Sequence, residues 1–289
     1  MPSPAEGFLA HRPRLFGLAY RMLGSRADAE DVLQDAYLRW QTARRDELKS
    51  PEAWLVTVVT RLSIDRLRSA KVEREAYTGP WLPEPLVAPD PELPERSLEL
   101  ADDISQAFLV MLERLAPEER AVFLLREVFD ADYPEVAQML GKSESSCRQM
   151  LHRAKERVHQ ERPRFQVNPE AHRRLLARFA VAAASGDLES LRQLFAEDVS
   201  FTADGGGKVK STTKPIQGGE RVTRLFWAIT RRVGGHLSYR EAVINGQPGL
   251  LRFYDGALDA TMSFVTDGER ILDVYLVRNP DKLQHIHVA

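Results

Sequence analysis

The sequence predicts a multidomain chain: two all-α domains, a helical bundle and a helix-turn-helix unit, followed by a C-terminal α+β domain. Three observations carry this reading. Apolar residues recur at helical spacing from Phe8 to about Val72 and again from about Ile104 to Arg162; a proline-rich stretch separates the two blocks; and after Asn168 short β-branched and aromatic segments alternate with turn signals. With 289 residues, 43% hydrophobic and 28% charged, the chain can bury several cores and is not disordered as a whole.

Forty Lys and Arg against 42 Asp and Glu leave a formal charge of −2, so any nucleic-acid role must rest on local patterning and not on a global positive field. The single cysteine, Cys147, excludes an intramolecular disulfide and a multi-cysteine zinc site, and reads as a small packing residue in a reducing compartment. No apolar run approaches the roughly 18 to 20 residues that span a bilayer. Arg12 and Arg14 interrupt the apolar residues of the amino terminus, against a signal peptide. A cytoplasmic protein without a membrane anchor follows.

Residues 1–72 form the first predicted domain. Leu15, Leu18, Ala19, Met22 and Leu23, then Val32, Ala36 and Trp40, mark its helices. The segment ADAEDVLQDAYLRW sets Glu30, Asp31, Gln34 and Asp35 along one helical stripe, which taken alone is a solvated acidic face. Ser50 as cap and Pro51 at the first helical position open the next helix, which ends in a basic cluster of Arg61, Arg66, Arg68 and Lys71. Residues 73–103 read as an acidic linker whose prolines remove backbone donors and favour extended chain.

Residues 104–165 form the second domain. Tyr133 to Leu140 suit a first helix, Gly141 a tight turn and Ser143 the cap of a second helix that buries Cys147, Leu151, Ala154 and Val158. Its outward positions carry Arg148, Gln149, His152, Arg153 and Lys155, groups suited to base edges and phosphates. The alternative is a solvated helix whose basic residues complement its dipole. In residues 166–289, two helices break at Ser185-Gly186-Asp187, and the segments VSFTA, HLSYREAVI, GLLRFY, LDATMSFV and RILDVYLV predict a curved antiparallel sheet with helices on it.

The acidic helix AEDVLQDAYLRW, the segment AWLVTVVTRLSIDRLRS and the helix-turn-helix PEVAQMLGKSESSCRQMLHRAKE, in that order, resemble the bacterial extracytoplasmic-function sigma factors from about residue 8 to 162. The resemblance implies that Glu30, Asp31, Gln34, Asp35 and Trp40 dock on core RNA polymerase. It also implies that the helix carrying Arg61, Arg66 and Arg68 lies against the −10 promoter element, where a strand is opened, and that Arg148, Gln149 and Arg153 read the −35 element. Many relatives carry asparagine where this chain has Arg61.

The last domain resembles the SnoaL-like members of the NTF2-like superfamily, which form a cone around a pocket. Three motifs are similar to those of the SigJ-type group, sigma factors carrying such a domain in cis: Trp81, Leu82, Pro83, Glu84 and Pro85; Asp204, Gly205, Gly206, Gly207 and Lys208; and Asn279, Pro280, Asp281, Lys282 and Leu283. The resemblance implies that these motifs form an intramolecular contact through which the extension tunes the sigma domains, with promoter DNA and core RNA polymerase as partners, no cofactor and no catalysis; the sequence neither requires nor excludes a separate anti-sigma factor. Read from the residues alone, the glycines are a hairpin turn and Asn279-Pro280 an ordinary turn.

A small-molecule ligand in the cone stays open. Phe201, Phe226, Trp227, Tyr239, Phe253 and Phe264 would line its pocket or else form plain core. An enzyme would draw on Asp204, Asp259 or Asp273 with His236, and these make no convincing pair in the sequence. His285 and His287 lack a third metal ligand. The competing function is a ligand-sensing helix-turn-helix regulator.

Overall fold

The computed structural model describes residues 4–44, 48–88, 104–159, 167–233 and 235–287. The later part of the expected linker, 89–103, lies outside the described residues. The described chain packs as two compact units, one from residues 4–75 and 108–159, the other from 76–88, 104–107 and 167–287.

The first unit opens with α1 (Pro4–Leu23), α2 (Arg26–Thr42) and α3 (Pro51–Glu75). The Ser25 and Ser50 hydroxyls accept the amides of Asp28 and Ala53, each at 3.2 Å, which satisfies donors that a helix start leaves open. Leu15, Leu18, Tyr20 and Met22 of α1 meet Val32, Leu33 and Ala36 of α2 and Leu55 and Val59 of α3 in a buried core. Helix α3 runs past residue 72 to Glu75.

The same unit continues through α4 (Gln106–Leu112), whose first turn belongs to the other unit, then α5 (Pro117–Glu127), α6 (Tyr133–Leu140) and α7 (Glu144–His159). Asp132 and Glu135 cap α6 reciprocally, Gly141 takes the left-handed conformation at φ 63°, and Ser143 accepts the Ser146 amide at 3.2 Å. Val136, Met139, Cys147, Met150, Leu151 and Ala154 close the core between α6 and α7. Burial raises the pKa of the Cys147 thiol, which fits packing and not redox chemistry.

The second unit comprises β1 (Val87–Ala88), α8 (Pro169–Ser185), α9 (Leu188–Leu194), β2 (Phe195–Asp204), β3 (Ile216–Gln217), α10 (Gly219–Val233), β4 (Leu237–Ile244), β5 (Gln247–Tyr254), β6 (Ala257–Thr266) and β7 (Ile271–Val277). The strands form one sheet in the order β1-β4-β5-β6-β7-β2-β3. Asn245-Gly246 and Asp255-Gly256 turn the β4–β5 and β5–β6 hairpins with positive φ at both residues, as a type I′ turn requires. The expected antiparallel sheet needs one correction: β2 pairs β7 in parallel, because the chain returns to the β2 edge only after α10 and the β4–β6 meander. Strand β1 was not foreseen, and its Val87 pairs with Ile244 at the sheet edge.

Helices α8 and α10 cover the sheet. Phe179 is the hub, with its ring edge-on to Phe195, Phe226, Tyr239 and Phe264 at centroid distances of 5.1–6.2 Å. The aromatic residues weighed as pocket lining therefore include Phe201, Phe226, Tyr239 and Phe264 packed within one core, while Trp227 and Phe253 carry Arg231 and Arg240 over their rings.

Candidate functional site

Asp31, Gln34 and Asp35 are exposed on α2, whereas Glu30 is half-buried and paired with Arg12 at 2.6 Å. Trp40 does not share their face. It is 3% exposed and packs against Trp54 with centroids 5.8 Å apart, so it supports the helix from within. Leu38, 53% exposed, takes its place on the stripe, one turn from Gln34, and sequence reasoning passed over it. A groove of about 350 Å³ runs beside the stripe, lined by Phe8, Leu9, Arg12, Asp31, Gln34 and Tyr37.

The three arginines of α3 all have partners inside the first unit. Arg61 donates to the carbonyls of Met139 at 2.8 Å and Gln138 at 3.4 Å, at the C-terminal end of α6 where a cation meets the negative end of the helix dipole. Arg66 pairs with Asp28 and Arg68 with Glu118, each at 2.8 Å.

On α7, Arg148 and Gln149 are exposed. The Arg148 guanidinium is held by Glu144 at 2.8 Å and lies over the Tyr133 ring at 4.7 Å, with Arg126 also over that ring at 4.4 Å. Arg153 is differently placed. Its Nε donates to Glu119 at 2.9 Å, and Arg157 binds the same carboxylate at 2.5 Å, so Arg153 ties α7 to α5.

The three motifs of the second unit meet at Asp204, the last residue of β2, which has no exposed side-chain surface. Its Oδ1 accepts from Tyr77 Oη at 2.6 Å and the Gly206 amide at 2.9 Å; its Oδ2 accepts from the Leu82 amide at 2.9 Å and Lys282 Nζ at 2.7 Å. Four donors fill the carboxylate, which is what a buried charge requires. Lys282 Nζ also donates to Leu82 O at 2.5 Å and lies over the Trp81 ring at 4.0 Å. Burial, then the hydrogen bond from its hydroxyl to Asp204, pushes the Tyr77 pKa up, so Tyr77 stays a donor.

The glycines serve this junction sterically. A Cβ at Gly206, whose φ is 63°, would sit 2.5 Å from Asn279 Cγ, and one at Gly205 would sit 2.6 Å from Val209 O. Asn279 caps the turn at Pro280–Lys282 through the Asp281 amide and donates to Tyr77 Oη at 2.8 Å. Lys208 reaches Asp281 at the surface, and Leu283 is buried.

A second polar knot holds the rest of the segment. Leu86 and Asn245 exchange bonds at 2.7 and 2.8 Å, Asn245 Nδ2 donates to Gln106, and Gln106 donates to Pro83 O at 2.9 Å. The His285 ring faces Glu84 and Pro85 O, each at 3.1 Å. Tyr77, Gln106, Asn245 and His285 were not among the predicted site residues. Only Asn245, in its Asn-Gly turn, carried a sequence signal.

The acids considered for catalysis are otherwise engaged. Asp204 is saturated. Burial alone would raise the Asp259 pKa, but Arg252 and Arg278 hold it below the usual range, as a carboxylate clamped by two guanidinium groups. His236 pairs with Asp255 at the surface.

The family models for Sigma-70 region 2 and Sigma-70 region 4 match residues 8–72 and 105–158. The chain is 37% identical over 287 residues to the ECF RNA polymerase sigma factor SigJ of Mycobacterium tuberculosis, covering 95% of this chain and 91% of that one. It is 30% identical to SigG of the same species over 82% of this chain and 70% of that one. The crystal structure of M. tuberculosis SigJ superposes with a TM-score of 0.80 at 33% identity, covering 99% of this chain and all of that one. No helix among the described residues is long and apolar enough to cross a membrane. The chain belongs to the extracytoplasmic-function (ECF) RNA polymerase sigma factors.

Proposed function

We propose that this chain is an alternative sigma factor whose C-terminal extension sets its activity in cis. The exposed acids Asp31 and Asp35, with Gln34 and Leu38, dock core RNA polymerase; α3 faces the −10 element; Arg148 and Gln149 read the −35 element. Regulation rests on one observation, the saturated Asp204 that binds Tyr77 and Leu82 of the linker to Lys282 of the extension. The linker segment leads from α3 at one end, and Gln106 at the start of α4 is tied into the same unit through Asn245. A linker held at both ends cannot extend freely, so the extension governs how far the promoter-binding helices reach apart. A sigma factor of this kind acts on DNA and polymerase in the cytoplasm and is not itself an enzyme.

Run-off transcription with purified core RNA polymerase tests this, comparing the full chain with Lys282→Met. Promoter-specific transcripts from the full chain, changed in amount by the substitution, are expected. Identical yields from both would remove the extension from regulation, and no transcripts with no core binding would remove the sigma reading.

A further inference from the structure

We propose that the outward face of α8 and α10 binds the phosphate backbone of duplex DNA next to the promoter elements. The proposal rests on the promoter-reading function above and assigns the extension a nucleic-acid surface of its own.

The two helices lie side by side and run in the same direction. Phe179 meets Phe226 at 5.1 Å between centroids, and one turn further along both helices Thr230 Oγ1 donates to Ala183 O at 2.6 Å. Leu175, Leu176, Phe179, Ala182 and Ala183 of α8 and Val222, Phe226 and Thr230 of α10 are buried. The opposite faces carry seven exposed arginines, Arg173, Arg174 and Arg178 on α8 and Arg221, Arg224, Arg231 and Arg232 on α10, with Ala177, Val181 and Ala228 between them and one acid at each helix start, Glu170 and Glu220.

Acids compensate only part of this charge. Glu170 reaches Arg174 at 3.9 Å, and Glu220 is shared at 2.8 Å between Arg224 and Arg192 of α9. Glu189 lies 3.7 Å from Arg192. Arg173, Arg178, Arg221, Arg231 and Arg232 make no ion pair with an acidic side chain among the described residues, and Arg231 lies over the Trp227 ring at 5.1 Å.

A solvated helix face ordinarily alternates sign at i,i+4, and like charges at that spacing oppose folding. Arg174 and Arg178 break that habit. Arg221 also lies in the first turn of α10, where the dipole already presents positive charge. A bound polyanion relieves all of these repulsions together, and guanidinium forks match phosphate oxygens in pairs. The stripe from Arg221 to Arg232 spans roughly 16 Å, enough to meet several phosphates of one duplex.

The chain chooses among polyanions. Only residues 160–168 separate α7 from α8. Once α7 engages promoter duplex, the arginine face is held at high effective concentration beside the same duplex, so even weak phosphate contacts are realised.

The test uses holoenzyme assembled from core polymerase and the full chain. Binding is measured by fluorescence anisotropy over a salt series, on a promoter duplex ending just upstream of the −35 element and on one extended upstream by about three helical turns. The wild type is expected to bind the longer duplex on the order of tenfold more tightly at low salt, with a log–log salt slope steeper by about 2 to 4. A variant carrying Arg173→Gln, Arg178→Gln, Arg231→Gln and Arg232→Gln, all exposed positions, is expected to bind the short duplex as the wild type does and to gain nothing from the extension. Equal wild-type affinity for both lengths, a length gain retained by the variant, or equal loss on both duplexes overturns the proposal. Failure of the wild type to prefer promoter over scrambled sequence on the short duplex is a separate outcome, which removes the promoter reading and this proposal with it.

Discussion

Replacing Lys282 by Met tests the Asp204 junction most directly, because it removes an ammonium while keeping most of the stem that packs beside Trp81. Lys282 is 10% exposed and Asp204 has no exposed side-chain surface, so the substitution leaves a buried carboxylate with three uncharged donors and no counter-charge. Removing one partner of a buried pair costs about 3–5 kcal/mol. The cost falls on the linker segment first. Tyr77 to Leu86 contains no helix or strand of its own and is joined to the second unit by these polar groups together with the burial of residues 82–86.

Hydrogen exchange at the Leu82 and Leu86 amides reads this opening. At 1.4 kcal/mol per decade, exchange at both should accelerate on the order of a hundred- to a few-thousand-fold. Adding Asp204→Asn removes the stranded charge, so the double variant should exchange more slowly than Lys282→Met alone. The reasoning is refuted if the two amides keep wild-type rates in Lys282→Met, or if the double variant exchanges as fast as the single one.

Three further outcomes are expected. Burial lowers the His172 pKa to about 4 from an ordinary 6.5, so the fold favours the neutral ring; its contribution is complete above pH 6.5 and is lost as pH falls towards 4, about 3 kcal/mol in all. His172→Leu should flatten the dependence of the urea midpoint between pH 6.5 and 5, and an unaltered slope would contradict this. Tyr133→Leu should weaken promoter binding severalfold by releasing Arg148 from a ring contact of about 0.5–1 kcal/mol, with no added effect once Arg148→Ala is present. Independent, additive losses in that cycle would count against the positioning. Charge reversal at Asp31 and Asp35 should lower core-polymerase affinity with the thermal midpoint little changed, whereas Trp40→Ala should lower the midpoint through about 3–5 kcal/mol of lost packing; core affinity unaffected by the reversal would remove the stripe from docking.

Elements with a local signature were legible in the sequence. The capping signals at Ser50-Pro51, the Tyr133–Leu140 helix with Gly141 behind it, and the Asn-Gly and Asp-Gly hairpins are short-range patterns that need no knowledge of distant chain. What escaped depends on partners far along the chain. Trp40 and Gln34 share one amphipathic helix, and only the position of Trp54 shows that the indole faces inward. Arg153 and Arg148 lie on the same helix, and only Glu119 of α5 separates a tie between helices from an exposed guanidinium. The motif residues around Asp204 were recognisable by resemblance, but Tyr77 and Gln106 have ordinary surroundings in sequence and gain their role from contacts 127 and 139 residues away.

The way the linker is held suits it to control. It contributes a two-residue strand and the buried side chains of Leu82, Pro83, Pro85 and Leu86 to the second unit, with Trp81 half-buried beside them. Pro80, Pro83 and Pro85 also lower the entropy lost on ordering. The directional groups that fix its path are coupled and fail together: loss of the Lys282 charge disturbs Asp204, and with it Tyr77, Leu82 and the glycine turn. An apolar interface of similar strength would loosen gradually as single contacts were lost. A polar junction centred on one carboxylate is closer to two-state, which allows a modest competing interaction, such as engagement of polymerase or promoter DNA by the helical unit, to switch the linker between held and released forms.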